Sequence, residues 1–335
     1  MSPRVDIGVF AHNEAAGIEA TLRSLLSQDI YAGGAARLVV LANGCSDDTA
    51  DVARGIGHPA LLVQDLPESG KSRTWNRFVH QISDRAADVL IFVDADILLP
   101  DQGTLRRLAQ GLAQDPALFA LSSQPFKDIS LNPAGLSLTE RLIAASAGGL
   151  DDWTRALCGQ LYAMPAPRAR QFHLPIGLPV EDGFLRAMIL TDHLCAPEDF
   201  ARLGGGAGLR HIYGSERRLG ALIAHQQRIV IGSAINAAIF AALSRLPPED
   251  RAGELQSAMR DEGWLPAVLG AELPRWPFGY VPPHFAVKRL TRLFEPGQSR
   301  SAKRVLTAFA GSFFDAIVYI LAQIKMARGT GAGHW

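Results

Sequence analysis

Cysteine is scarce. Cys45, Cys158 and Cys195 are the only three in 335 residues, too few and too scattered for a disulfide framework or a zinc cluster. No sign of charge predominates either: 33 Lys and Arg balance 33 Asp and Glu. There is therefore no global field to gather nucleic acid or an acidic partner, and any electrostatic steering is local. Met1-Ser2-Pro3-Arg4 leads straight into a short apolar stretch with no signal-peptide core. With so few cysteines, that start gives a cytoplasmic expectation. Internal repeats and low-complexity tracts are also absent. What remains is an ordinary globular composition, 48% hydrophobic and 20% charged, able to bury a large core in one elaborate domain or two packed ones.

Through the first 125 residues the hydrophobic period switches back and forth. Residues 5–10, 37–42, 60–64 and 89–93 are short apolar runs that read as strands, while Ile18, Leu22, Leu25 and Leu26 share one helical face. Further helices are expected after the acidic Asp47-Asp48 turn, where carboxylates suit the helix dipole, and over 72–83 and 102–114. Such alternation makes βαβ units, and hence an α/β fold with a mostly parallel central sheet covered by helices on both faces. Ligands of such sheets bind beyond the carboxyl ends of the strands. From 126 to 225 the pattern breaks into short Pro- and Gly-rich segments, expected as irregular, site-forming structure. Its glycine-rich stretch 204–208 reads as a lid or as a plain surface loop. Residues 229–244 carry no charge and read as a buried helix.

Chemistry-bearing residues gather where strands end. Phe92-Val93-Asp94-Ala95-Asp96 sets two carboxylates one residue apart. They repel each other unless well solvated or sharing a cation, and a hard divalent ion with oxygen ligands is the natural partner. The loop Asn43-Gly44-Cys45-Ser46-Asp47-Asp48-Thr49 offers groups that hydrogen-bond a heterocycle or merely cap the next helix. His12-Asn13-Glu14 places a flat ring and a carboxylate just past the first strand. Gly70-Lys71-Ser72 suggests a phosphate-binding P-loop, but that motif needs a glycine where Asp65 stands, so the reading fails. Glu181-Asp182 is either a pair of acids suited to a helix N-terminus or a general base with an acidic neighbour that raises its pKa.

In this order and spacing the motifs resemble the family 2 glycosyltransferases of the GT-A fold. Val9-Phe10-Ala11-His12-Asn13-Glu14, the Asn43–Thr49 loop, Gly70-Lys71-Ser72-Arg73-Thr74-Trp75-Asn76, the Asp94/Asp96 pair, Glu181-Asp182 and Arg228 carry the resemblance, over roughly residues 5 to 230. His12 stands where the family usually has Tyr, and Cys45 where Ser is frequent. The resemblance implies a transfer, with inversion, from a nucleoside diphosphate-sugar to an acceptor hydroxyl on a glycan or lipid-linked glycan. It implies donor contacts from Ala11, His12, Glu14, Asn43, Lys71, Asp94 and Arg228, and Mg2+ or Mn2+ held by Asp96 with Asp94. Asp182 is the implied general base, with Glu181 beside it. Residues 1–125 become the nucleotide-sugar-binding half, 126–228 the acceptor-binding and catalytic half, and 229–335 a C-terminal helical region. His225-Gln226-Gln227-Arg228-Ile229 lacks the tryptophan of polymerising members. The rivals are a sugar-phosphate nucleotidyltransferase and a catalytically inactive scaffold of the same fold.

The C-terminal region raises a second question. Residues 286–304 hold six bases against one acid, Glu295, and 305–324 carry a single formal charge, Asp315. Thr307, Gly311, Asp315, Tyr319 and Gln323 recur every four residues and form a narrow polar stripe on a helix. Peripheral contact of 286–324 with the cytoplasmic face of the inner membrane is one expectation. Packing against the core or in a homodimer, with the stripe facing water, is another. A true span is disfavoured by Asp315 near its middle. Trp335 is a further expected interfacial anchor.

Overall fold

Successive side chains along a strand point to opposite faces, and in the central strands both sets are buried. Leu90 and Phe92 join Phe10, Val39 and Leu41 in the core on one face, while Val89, Ile91 and Val93 join Val9, Leu38 and Val40 on the other. Strands buried on both sides belong in the middle of an α/β sandwich. The computed structural model has that arrangement; it describes residues 3–131, 153–216, 218–273, 279–293 and 302–329.

The strands are β1 (Val5–Ala11), β2 (Ala36–Asn43), β3 (Leu61–Leu66), β4 (Val89–Asp94), β5 (Ile97–Leu98), β6 (Ala120–Lys127), β7 (Leu161–Pro165) and β8 (Leu203–Tyr213). They form one eight-stranded sheet in the order β3-β2-β1-β4-β7-β6-β8-β5. The β3-β2-β1-β4 half is parallel throughout. β7 then runs antiparallel to both β4 and β6, β6 is parallel to β8, and β5 closes antiparallel on β8. The sheet is thus mixed but mostly parallel, as expected for the α/β class. Helices α1 (Ile18–Leu26), α2 (Thr49–Gly55), α3 (Lys71–Arg77) and α4 (Thr104–Gln114) alternate with the early strands. Leu22 and Leu25 of α1 and Leu105 and Leu108 of α4 pack on one face of the sheet. Trp75 of α3 packs on the other, with Phe184 and Leu185 of α5 (Glu181–Thr191) and Ile231 and Ile235 of α6 (Leu219–Ser244).

Two expectations are corrected here. The segment 126–225 is not merely irregular, because it supplies β7, β8 and α5. The glycines at 204–208 lie within β8, so they form no lid. A Cβ on Gly205 would meet the Trp153 ring at 2.2 Å and one on Gly204 would meet Leu118 at 3.0 Å. These glycines let a strand run close beneath larger side chains, which composition alone does not distinguish from loop glycine.

α6 extends the expected 229–244 helix by ten residues toward the N-terminus. It is the one helix among the described residues long and apolar enough to cross a membrane, yet 56% of its most apolar stretch is buried inside the fold. α7 (Pro248–Ala258) and α8 (Trp264–Glu272) follow, then α9 (His284–Leu293) and α10 (Ala302–Ala327).

α10 lies the other way round from expectation. The described part of its polar stripe faces inward: Asp315 is 4% exposed and accepts from Arg289 Nε of α9 at 3.0 Å. Gln323 is buried too, accepting from the Tyr280 N–H and donating to the Val281 carbonyl, each at 3.0 Å. Val318, Ala322 and Met326 complete this inner face within the core. Trp335 lies outside the described residues. Asp315→Ala is expected to destabilise the protein by about 1.5–3 kcal/mol, the range for losing a hydrogen bond to a charged group. The midpoint of urea unfolding reads this directly, and an unchanged midpoint would return the stripe to solvent.

Candidate active site

The carboxyl ends of β1, β2 and β4 bring their loops together, as the parallel topology requires. Asn43, at the end of β2, is buried and uses both ends of its amide. Its Nδ2 donates to the Ala11 carbonyl at 2.8 Å and its Oδ1 accepts from the Gly70 N–H at 3.2 Å. This one side chain therefore sets the spacing of the β1, β2 and α3 loops. Its carbonyl lies 2.7 Å from His12 Nδ1, which fixes the imidazole. Ala11 enters through its backbone alone. Gly44 has φ +56, and a Cβ there would meet Ser69 at 2.6 Å, so the turn needs glycine.

Sequence reasoning did not single out Asn13 as a site residue. It has a positive φ of 57, and its Oδ1 accepts from the Ser46 N–H at 2.8 Å and the Ser46 hydroxyl at 3.2 Å. Asn tolerates this left-handed backbone better than most residues. Asp47 accepts from the Ala15 N–H at 3.1 Å, and Thr49 Oγ1 accepts from the Glu14 N–H at 2.8 Å. The His12-Asn13-Glu14 turn and the Asn43–Thr49 loop are thus one hydrogen-bonded unit.

A second group meets at the sheet's centre. Lys71, at the start of α3, lies 2.6 Å from Asp94 Oδ1 and 2.9 Å from Glu181 Oε1. It also donates to the Gly159 carbonyl at 3.3 Å. Burial alone would lower its pKa, but Asp94 and Glu181 overcome that and hold the ammonium well above its ordinary value. One cation therefore joins a strand-end acid of the first half to the acid pair of α5. Burial, helped by Asp96 and Glu181 and opposed by Lys71, raises Asp94 to about 6. Asp182 is also raised, by burial first and then by Glu181. Lys71, the Gly183 N–H and Arg228 of α6 pull it the other way. That N–H donates to Asp182 Oδ1 at 2.7 Å.

Gly159 is a second residue missed from the sequence. A Cβ there would lie 2.7 Å from Asp182 Oδ2, so only glycine leaves the carboxylate its place. No sequence signal marked it. Behind Lys71, Trp75 donates to the Tyr162 hydroxyl at 2.8 Å, and the Trp75, Phe92 and Tyr162 rings stack in series. Ser72 and Asn76 of α3 hold the Gly177 and Leu174 backbone ahead of α5. His211, buried on β8, bonds Ser123 and Gln160 and serves the core.

Asp96 is exposed. It makes no hydrogen bond or ion pair among the described residues, yet its charge reaches both Glu14 and Asp94. Among the described residues no three His, Cys, Asp or Glu side chains form a metal cage. The donor set instead fits a hard divalent ion that takes one or two carboxylates and completes its shell with water and phosphate oxygens.

The mixed sheet and its strand-end acids define a GT-A-like enzyme. A family model, Glycosyl transferase family 2, matches residues 6–189, and the chain belongs to that family, enzymes that transfer sugar from a nucleotide-sugar. No curated protein matches the chain. Among solved structures it is similar to the mannosyltransferase PcManGT of Pyrobaculum calidifontis, solved with GDP-Man and Mn2+. That similarity has 18% identity and a TM-score of 0.54, covering 99% of this chain and 87% of that one. Glucosyl-3-phosphoglycerate synthase of Mycobacterium tuberculosis, solved with Mn2+, UDP-glucose and phosphoglyceric acid, has 20% identity and a TM-score of 0.48. There the coverage is 70% of this chain and 79% of that one.

Glu14 supplies a pH test of this electrostatic arrangement. Burial, with Asp96, Asp94 and Asp47 nearby and His12 opposing, raises it to about 7 from 4.5. The folded state therefore keeps a proton that the unfolded chain loses between these values, and folding is penalised as pH rises through them. Glu14→Gln in EDTA is expected to raise Tm at pH 8, with the gain vanishing near pH 4. A gain that does not depend on pH would contradict the raised pKa.

Proposed function

We propose that the protein is an inverting glycosyltransferase moving a sugar from a nucleoside diphosphate donor to a hydroxyl of a glycan or lipid-linked glycan. The observation that supports it best is the meeting of Asp94, Lys71 and Glu181, with Asp182 and Arg228 within electrostatic reach. The acid we assign to the donor side and the acid pair we assign to the acceptor side thus converge on one lysine.

In this reading the β1 and β2 loops receive the nucleoside. His12 and Glu14 face it, while Asn43 and Asn13 hold the two loops in register. A divalent cation held by Asp96, with Asp94 beside it, would neutralise charge on the departing diphosphate. Lys71 and Arg228 add positive charge from the protein on the same side of the pocket, where oriented cations favour a developing anion. Asp182 accepts the proton of the acceptor hydroxyl as its oxygen bonds to the anomeric carbon. The bond from that carbon to the diphosphate oxygen breaks, and the diphosphate leaves with the electron pair. A base needs a pKa near its working range, and the buried, acid-flanked Asp182 is shifted in that direction. Glu181 is the flanking charge, and Lys71 keeps it in place. Gly159 leaves room for the Asp182 carboxylate.

Asp182→Asn is expected to lower kcat by about 10²–10⁴-fold, the range for losing a general base, while affinity for the nucleoside diphosphate is retained. In the wild-type enzyme kcat should fall with decreasing pH through a limb lying above the ordinary aspartate range. Normal turnover in the variant would remove the base assignment. Asp96→Ala should abolish the Mn2+-dependent part of nucleoside diphosphate binding in calorimetry; equal affinity with and without Mn2+ in both proteins would defeat the metal assignment. Product stereochemistry by NMR decides inversion, and retention at the anomeric carbon would overturn that part of the reading.

A further inference from the structure

The inward-facing stripe of α10 leaves its opposite face outside, and that face is apolar. Phe313 is 73% exposed, Phe309 61% and Ile320 56%, with Leu321 and Ile324 exposed beside them. Positions 309, 313, 320 and 324 follow the helical repeat and share one side, about 22 Å long at 1.5 Å per residue. No charged residue interrupts it. The only charge between 305 and 324 is Asp315, which lies on the far side, paired with Arg289. Val287 of the neighbouring α9 adds another exposed apolar side chain. Singly scattered apolar residues on a surface are ordinary, but a contiguous ridge with two exposed phenylalanines marks a contact surface.

The charge around this ridge selects the occupant. Apart from the Arg289–Asp315 pair on the far side, residues 286–329 contain seven bases, Lys288, Arg292, Arg300, Lys303, Arg304, Lys325 and Arg328, and one acid, Glu295. The rest of this neutral chain is correspondingly acidic. The bases stand toward both ends of the apolar ridge in sequence, and Arg328 at its C-terminal end is exposed. A second copy of the protein on this face would bring together two stretches that both carry a net positive charge. An anionic bilayer instead takes the apolar ridge into its interface and meets the bases that flank it in sequence with phosphate groups.

We propose that the outer face of α10, built on Phe309, Phe313, Ile320 and Ile324, docks the protein peripherally on anionic lipid. An ordinary interfacial helix turns its polar side to water. Here the protein body takes the place of water, with Arg289 and the 280–281 backbone satisfying Asp315 and Gln323. The helix therefore lies on the bilayer as part of a rigid body and does not cross it. This placement stands independently of the catalytic reading.

The test is cosedimentation of the full-length protein with phosphatidylcholine vesicles, with and without 30% phosphatidylglycerol, beside light scattering of the protein alone. The wild type should bind the anionic vesicles at least about tenfold more strongly than the neutral ones. About 0.5 M NaCl should weaken this binding, because exposed charges are then screened within a few ångströms. Phe309→Glu/Phe313→Glu should abolish it while nucleoside diphosphate affinity and circular dichroism stay unchanged. Phe313→Ser, which adds no charge, should weaken it less. Absence of wild-type binding, binding unaltered by both variants, or a solution dimer that the double variant splits would each overturn the proposal.

Discussion

The ammonium of Lys71 is shared by Asp94 and Glu181, and the rest of the site depends on that sharing. Without it, carboxylates from β4 and α5 would face each other across a partly dehydrated pocket. Removing one member of such a group is far costlier than the group's net contribution to stability. The lysine sits there because α3 begins at Lys71 directly after Gly70, whose N–H Asn43 holds. From there α3 runs down the sheet. Trp75 locks it to Tyr162, while Ser72 and Asn76 hold the chain that leads to Glu181. One short helix therefore couples the acid at the end of β4 to the acid pair of α5.

The helical region is joined to the same assembly. Gly232 of α6 lies so close to Val180 that a Cβ would approach its side chain at 2.3 Å, and Asn236 donates to the Val180 carbonyl at 3.2 Å. Val180 immediately precedes Glu181. α6 thus seats the start of α5 and carries Arg228 toward Asp182, while α10 packs against it. The region beyond the sheet is a structural support of the site, and its far side bears the apolar ridge.

Much of this was legible before any coordinates. The four early strands lie within two residues of where the apolar runs put them, because β1, β2 and β4 are buried on both faces and so are mostly apolar, while β3 at the sheet edge keeps an apolar start at Leu61–Val63. The Asp94/Asp96 pair, Lys71 and Glu181-Asp182 stood out because charge at the end of a buried strand or at a helix start is conspicuous. The later strands were hidden for the converse reason. β8 contains glycines that make room for Trp153 and Leu118, and β7 is a brief run amid Pro-rich chain. Neither presents a hydrophobic period of its own.

What the sequence determined by itself was local: which segments alternate, which carry acids at their ends, and which family's order of motifs they follow. Tertiary structure decided everything that depends on a distant partner. Asn43, which the motif implies as a ligand contact, also ties the loops together because Ala11 and Gly70 lie on either side of it. Gly159 acquired a role only when Asp182 arrived beside it. The α10 stripe turned inward because Arg289 and the 280–281 backbone satisfy it there. Periodicity reports that a helix has two unlike faces, but only the surroundings decide which one meets water.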